Sequence, residues 1–410
     1  MLFFRVGDEF IALLSYFCSG AMYLFLPVKQ VGVSSNLNIY NVMKQYLSSL
    51  FMVVAALVLL AACSKDELRT SPGPEPIDPT VVSILPVVFH VFYADENDAT
   101  QKVPANRLRQ VLNNVNELYR GTYSGGESTN IAFTLASTAD AGKRLDAPGV
   151  EYIKLGKNEY PIDPYVLMND KTGKFKQYMW DPNKYINVYV YHFKQPKENA
   201  TTLGVSHMAV SSKGNHELEG LVVANSNYLT LENLTTPFCV SVNSKYVNQE
   251  SNRYNDWPNL RTFTIHSADF NVTLAHELGH YLGLFHVFGE ENGEYLDGFK
   301  DTDYCKDTPT YNKVAYDNFL TEYVKTHNAH NADLNELLKR TGSDGKTFTS
   351  NNIMDYALSL GHTFTKNQTE RMYHVLGYSP LMPKTLRRSR TVNTRVAPKG
   401  IVDIEFIVVE

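Results

Sequence analysis

Cysteine is scarce in this chain, with four in 410 residues. That is too few to staple a fold of this length, so a packed core must hold it. Tryptophan is nearly absent, with two residues, and no excess of positive charge exists. The 38 Lys+Arg against 43 Asp+Glu give a formal net charge of −5, which argues against a nucleic-acid partner. Internal repeats and long low-complexity runs are missing past residue 80. What the chain has instead is 43% hydrophobic residues, 21 Phe and 26 Tyr, with only 20% charged. Such a composition excludes wholesale disorder and suits a globular domain with substantial β content.

Long apolar runs are confined to the N-terminal region. Lys44 is followed by the apolar stretch Leu47 to Leu60 and then Ala61-Ala62-Cys63. A basic start, a short apolar run and small residues before a cleavage point make 43–62 a secretory signal rather than a spanning helix. Leu60-Ala61-Ala62-Cys63 resembles a bacterial lipobox, which implies that Cys63 is lipidated and becomes the first mature residue. Residues 1–42, with the apolar Phe10–Pro27, then read as an over-extended reading frame starting ahead of Met43. Ser64-Lys65-Asp66-Glu67 resembles the Lys-plus-acidic export signal of some surface lipoproteins, or it is a plain solvated start to a linker. The linker spans 63–82 and contains the stiff, proline-rich Ser71–Pro79. Together these resemblances imply an outer-membrane or cell-surface bacterial lipoprotein, on the periplasmic side or the extracellular face.

The mature chain then alternates strand and helix signals. Ile84–Tyr93 reads as a buried strand, and Pro104–Tyr119 carries a helical stripe of Leu108, Val111, Leu112, Val115 and Leu118. Further strands are expected at Ile131–Ala136, Ile186–Phe193, Val205–Val210 and Leu218–Ala224, with a second long helix over Val272–Leu284. This order describes a mixed α/β lobe with a twisted sheet. Phe288–Asn352 is polar and irregular apart from helices near Ala315–Val324 and Ala332–Leu338, and a last helix fits Lys366–Val375. The stretch 381–410 is a tail: a basic segment, Leu386–Lys399, and a weak edge-strand signal at Ile401–Val409.

Chemistry concentrates in Thr273–Gly289, where His276-Glu277-x-x-His280-x-x-Gly283-x-x-His286 stands. Residues four apart share a helical face about 6 Å apart along the axis, so His276 and His280 can grip one ion. Glu277 is out of phase as a ligand but placed to meet a water. Gly283 can adopt positive φ, end the helix and return His286 to the same ion. Three imidazoles leave a tetrahedral zinc one open position, the mark of a catalytic site.

HExxHxxGxxH followed by the Met-bearing Asn352-Ile353-Met354-Asp355-Tyr356 resembles the metzincin pattern. Within metzincins the chain resembles the pappalysin family. That likeness rests on TLAHELGHYLGLFHVF, on Cys305-Lys306-Asp307-Thr308-Pro309, and on NIMDY with the following Phe364–Met372. It implies a catalytic domain over 83–380, with a twisted mixed sheet, a long active-site helix, a Met-turn and an irregular helical lower lobe. It further implies zinc on His276, His280 and His286, an apolar floor from Met354, and a phenol from Tyr356 at the developing oxyanion. The implied activity is that of a zinc endopeptidase acting on extracellular proteins or peptides by Glu277-assisted attack of a zinc-bound water. A sheet edge, Gly204–Val210 with Leu218–Ala224 behind it, is expected to pair with the substrate. The chain departs from the family after the Met-turn, where Ala357–His362 lacks the usual cysteines, and it has no room for a sizeable propeptide between Cys63 and the first strand.

Three further expectations complete the reading. Cys239 and Cys305, the cysteines left in the folded region, are expected to form a disulfide. Asp297, Asp301, Asp303 and Asp307 read either as calcium ligands, as in pappalysin-like enzymes, or as a solvated acidic loop. The alternative to an enzyme is a catalytically silent surface binding lipoprotein on a metalloprotease fold. Glu277 discriminates between the two, because a degenerate copy commonly loses the Glu or a ligand.

Overall fold

A computed structural model describes residues 82–123, 128–137, 145, 147–195, 201–256, 265–327, 332–356, 358–383 and 397–410, together with two short N-terminal strands. Those strands, β1 (Leu2–Val6) and β2 (Glu9–Leu13), pair antiparallel in a unit of their own, Met1–Thr70. The second unit, Ser71–Glu410, holds everything else. The expected signal, Cys63 and nearly all of the linker lie outside the described residues. Among the described residues no helix is long and apolar enough to cross a membrane.

The spine of the second unit is β3 (Ser83–Tyr93), eleven residues of which ten are buried. A strand covered on both faces reads as a continuous apolar run, which is how Ile84–Tyr93 looks in the sequence. The helix α1 (Ala105–Tyr119) follows, its predicted stripe buried and Pro104 standing at the N-cap, just outside the helix. Then come β4 (Ile131–Leu135), β5 (Val150–Lys154), the short helix α2 (Pro164–Met168) and β6 (Ile186–Tyr191). β7 (Gly204–His207), β8 (Ser211–Ser212), β9 (Val223–Ala224) and β10 (Val240–Asn243) lead to α3 (Arg253–Asp256) and the central helix α4 (Phe270–Tyr281).

Among the described residues the main sheet has seven strands: the last, β15 (Val408–Val409), begins the order β15-β7-β10-β6-β3-β4, with β5 paired to the far half of β3. β3, β4, β5, β6 and β10 run parallel, whereas β7 is antiparallel to β10 and β15 (Val408–Val409) is antiparallel to β7. α1 and α4 pack together, and Tyr119 Oη donates to Ala275 O at 3.1 Å. Each fully buried Val, Leu, Ile or Phe in this layer contributes about 1.5–3 kcal/mol. The lower lobe is irregular: hairpin strands β11 (Glu290–Glu291) and β12 (Glu294–Tyr295), helices α5 (Lys313–Thr326) and α6 (Leu334–Leu337), and a second hairpin of β13 (Lys339–Thr341) and β14 (Thr347–Thr349). α7 (Lys366–Tyr378) closes it. This is the mixed α/β, metzincin-like architecture that the sequence implied.

Several expectations change. Val205–Val210 forms a strand only to His207, and Met208–Val210 are buried without strand structure. Leu218–Ala224 does not back β7: only Val223–Ala224 is extended, paired with β8 outside the main sheet. β5 and β10 were not anticipated. Cys239 and Cys305 are buried free thiols, not a disulfide. Cys239 adjoins β10 with its Sγ 3.7 Å from Met168 Sδ, while Cys305 is tied to the acidic loop through its N–H to Asp303 Oδ1 at 2.7 Å. Each sulfur is fixed in a different packing environment.

Candidate active site

The central helix begins on Asp269, whose carboxylate accepts from the N–H groups of Asn271 (3.0 Å) and Val272 (3.3 Å). It ends where Gly283, at φ +91°, reverses the chain. Gly283 N–H donates to His280 O (2.8 Å) and Leu284 N–H to Gly279 O (3.0 Å), the paired bonds of a Schellman turn. A side chain on Gly283 would meet Val375 Cγ2 at 2.7 Å, so both the conformation and the packing require glycine here. Arg371 on α7 clamps the same turn through Nε to Gly283 O at 2.6 Å.

The reversal does what the spacing implied. The Nε2 atoms of His276, His280 and His286 lie 2.9, 3.1 and 3.2 Å from one another, and all three rings are buried. Every Nδ1 has an acceptor: Ile353 O for His276 (2.7 Å), Leu284 O for His280 (2.7 Å), and the Glu290 carboxylate for His286 (3.0 Å). The protons therefore sit on Nδ1, and three Nε2 lone pairs face one another with no hydrogen among them. Burial pushes the His276 imidazole down to about 3 and lowers that of His280 strongly, with neighbouring histidines adding to the effect, so both stay neutral. Converging neutral donors of this kind fit a cation. A tetrahedral zinc with Zn–N bonds of ~2.0–2.1 Å spaces its nitrogens about 3.3–3.4 Å apart, close to what is seen. Among the described residues only these three histidines bring metal-ligating atoms so close together.

Glu277 lies beside them, 2% exposed, and its Oε2 has no hydrogen-bond partner. Burial first, and the nearby Glu410 second, hold its pKa well above the ordinary carboxylate range. Gly204 makes the space for this side chain, because a Cβ there would stand 2.4 Å from Glu277 Oε1.

The Met-turn supports the site from below. Met354 is fully buried, and a Cβ on Gly279 would meet its Sδ at 2.5 Å, so the thioether fills the notch this glycine leaves in the helix. Its carbonyl accepts from Val287 N–H (3.2 Å) and steadies the segment that carries His286. Asn352 and Gln368 exchange amide hydrogen bonds at 2.9 and 3.1 Å and fasten the turn to α7. Asp355 is gripped by Tyr311 Oη (2.6 Å), Ser350 Oγ and Arg340. Tyr356 follows, its ring 4.6 Å from that of His286. Burial raises its phenol pKa strongly, so it remains a proton donor, and its Oη donates to Glu410 O at 3.0 Å.

The four loop aspartates do not assemble. Asp297 accepts from Asn312, Asp307 from Asn367 N–H, Asp301 from Asp303 N–H, and Asp303 from Cys305 N–H and Thr308 Oγ1. Glu290 is the functional residue that sequence reading passed over. It stands four residues after His286 at the head of the acidic loop, and no local spacing marks it as a partner of the third imidazole.

Residues 254–377 match the Peptidase M43 family model, described as pregnancy-associated plasma protein-A. No curated protein matches. Among solved structures, the chain is similar to mature mirolysin of Tannerella forsythia in complex with a cleaved peptide, at 20% identity over 72% of this chain and 91% of that one, TM-score 0.45. It is also similar to a promirolysin mutant of the same organism, at 21% identity over 72% of this chain and 81% of that one, TM-score 0.43.

Proposed function

We propose that this chain, a zinc metalloendopeptidase with an M43-type catalytic segment, cleaves extended peptides with Glu277 as the proton carrier and Tyr356 as the oxyanion donor. The observation that carries the reading is the unpartnered, buried Oε2 of Glu277 beside three converged imidazole lone pairs. His276, His280 and His286 would hold the zinc. When bound, zinc supplies Lewis acidity, activating a water and polarising the scissile carbonyl. Glu277 takes the proton released in the attack and returns it to the leaving amine, a task for which a raised pKa is suited. Tyr356 Oη, which here donates to a main-chain oxygen of Glu410, would donate to the substrate's carbonyl oxygen as negative charge develops on it.

The zinc-loaded protein incubated with proteome-derived peptides tests this, with Glu277→Ala as control. The variant should keep its zinc and lose about 10²–10⁴-fold in rate. Two equally inert proteins that both hold zinc would move the assignment to the silent binding lipoprotein.

We further propose a surface lipoprotein anchored through Cys63, supported by Leu60-Ala61-Ala62-Cys63 and the proline-rich spacer after it. In a bacterial host, Cys63→Ala should abolish lipid labelling and shift the protein out of the membrane fraction. Its proline-rich spacer would then separate the catalytic domain from the bilayer.

A further inference from the structure

The strand expected to receive substrate is not free. β15 lies along β7, with Val408 opposite His207 and Val409 opposite Ser206. Met208 N–H donates to Ile407 O at 2.9 Å and extends the pairing. The segment runs antiparallel to β7 and brings Glu410 into the cleft lined by Gly204, His276, Glu277 and Tyr356. There the Glu410 carbonyl oxygen accepts from Tyr356 Oη (3.0 Å), and its side-chain carboxylate accepts from Tyr165 Oη on α2. Glu410 thus engages, through a main-chain oxygen, the phenol that the proposed mechanism assigns to the oxyanion.

The residues before β15 act as an anchor. Asn233 Nδ2 donates to Pro398 O (2.8 Å) and Gly400 O (2.7 Å), and Val402 N–H donates to Asn233 O (2.9 Å). Ile404 and Phe406 are buried, the Phe406 ring 5.0 Å from Phe238 and 5.4 Å from His207. A tether this short keeps the last three residues at an effective concentration on the order of millimolar or higher at the cleft.

We propose that Val408–Glu410 is a built-in competitor that occupies the acyl half of the peptide-binding cleft, so that a substrate must displace it to bind. The proposal rests on the endopeptidase reading for the identity of the cleft. The Tyr165 phenol would favour a carboxylate side chain on the residue before the scissile bond.

The test needs no turnover and is made in the Glu277→Gln background with zinc loaded. A fluorescent Val-Val-Glu-Ala-Ala-Ala-amide peptide is titrated into the full chain and into a chain lacking residues 408–410. The shortened protein is expected to bind at least tenfold more tightly. Glu410→Ala in the full chain, which keeps the strand but loses the Tyr165 bond, should tighten binding about threefold, and it carries the test if the shortened chain fails to fold. Equal affinities across the folded proteins, or no binding once the segment is weakened or removed, overturn the proposal. Loss of hydrolysis in the parent protein would bear on the endopeptidase reading alone.

Discussion

Gly204 and Glu277 share one space: the Cβ that any other residue would carry at 204 falls 2.4 Å from Glu277 Oε1 and 2.5 Å from its Cγ. The first residue of β7 is thereby tied to the Glu277 side chain on α4, and the cleft rim sets where the carboxylate rests. Gly204→Ala should displace Glu277 by about an ångström and lower kcat about a hundredfold. One zinc per chain should remain, since none of the histidines is touched. Steady-state kinetics with zinc quantified by mass spectrometry checks both halves.

Glu290 orients the third imidazole, with both oxygens 3.0 Å from His286 Nδ1. Glu290→Gln removes the charge behind that ring and should weaken zinc binding about 10–100-fold. Competition against a chromophoric chelator measures it, and unchanged affinity would remove Glu290 from the site.

The amide pair Asn352–Gln368 is buried, with Gln368 fully so. Gln368→Ala leaves the Asn352 amide without its partner and should cost about 1–3 kcal/mol of stability. Denaturant unfolding reads the loss. The effect should reach the metal only indirectly, through the Ile353 carbonyl that holds His276.

His207 on β7 gives the protein an acid sensitivity. Its Nε2 faces Met168 O at 3.1 Å, and its Nδ1 lies 3.2 Å from both the nitrogen and the carbonyl oxygen of Cys239, so these carbonyls offset only part of the cost of burying a charge there. Burial lowers its pKa from 6.5 to about 4. The unfolded chain takes up this proton near pH 6.5 and the folded chain only near pH 4. The stability that depends on neutral His207 is therefore complete above about pH 6.5 and is lost as pH falls towards 4, by about 3 kcal/mol. Unfolding of zinc-free protein between pH 7 and 4 should show a shallower decline in His207→Gln than in the parent. Parallel curves would assign the slope to the other buried histidines.

The two cysteines of the catalytic unit should behave as thiols. Denatured, unreduced protein treated with iodoacetamide is expected to gain mass at both Cys239 and Cys305. Labelling only after prior reduction would restore the disulfide.

Much of the site was legible because its spacing is local. His276, Glu277 and His280 sit on one helix, and the fate of His286 is settled three residues after a glycine that alone tolerates φ +91°. β3 and α1 were legible for a related reason: an unbroken apolar run and a 3.6-residue stripe each have one good burial solution. Leu218–Ala224 misled because its apolar residues pack singly around a loop, with Leu221 buried but Val223 exposed. β10 was missed because Val240–Asn243 is too short to show a period, and its strand character comes from pairing with β6 and β7. The acidic loop left two readings open because sequence density cannot tell carboxylates that converge from carboxylates that cap their own turns.

The residue order by itself determined which imidazoles meet, which carboxylate stands beside them and which glycine turns the chain, since all of these follow from backbone geometry within eleven positions. Only the tertiary structure decided that Glu290 backs His286, that the two thiols stay apart, and that Val408–Glu410 lies in the cleft. Each of those depends on segments distant in sequence, or folded back through an irregular loop, and no local periodicity encodes where such segments come to rest.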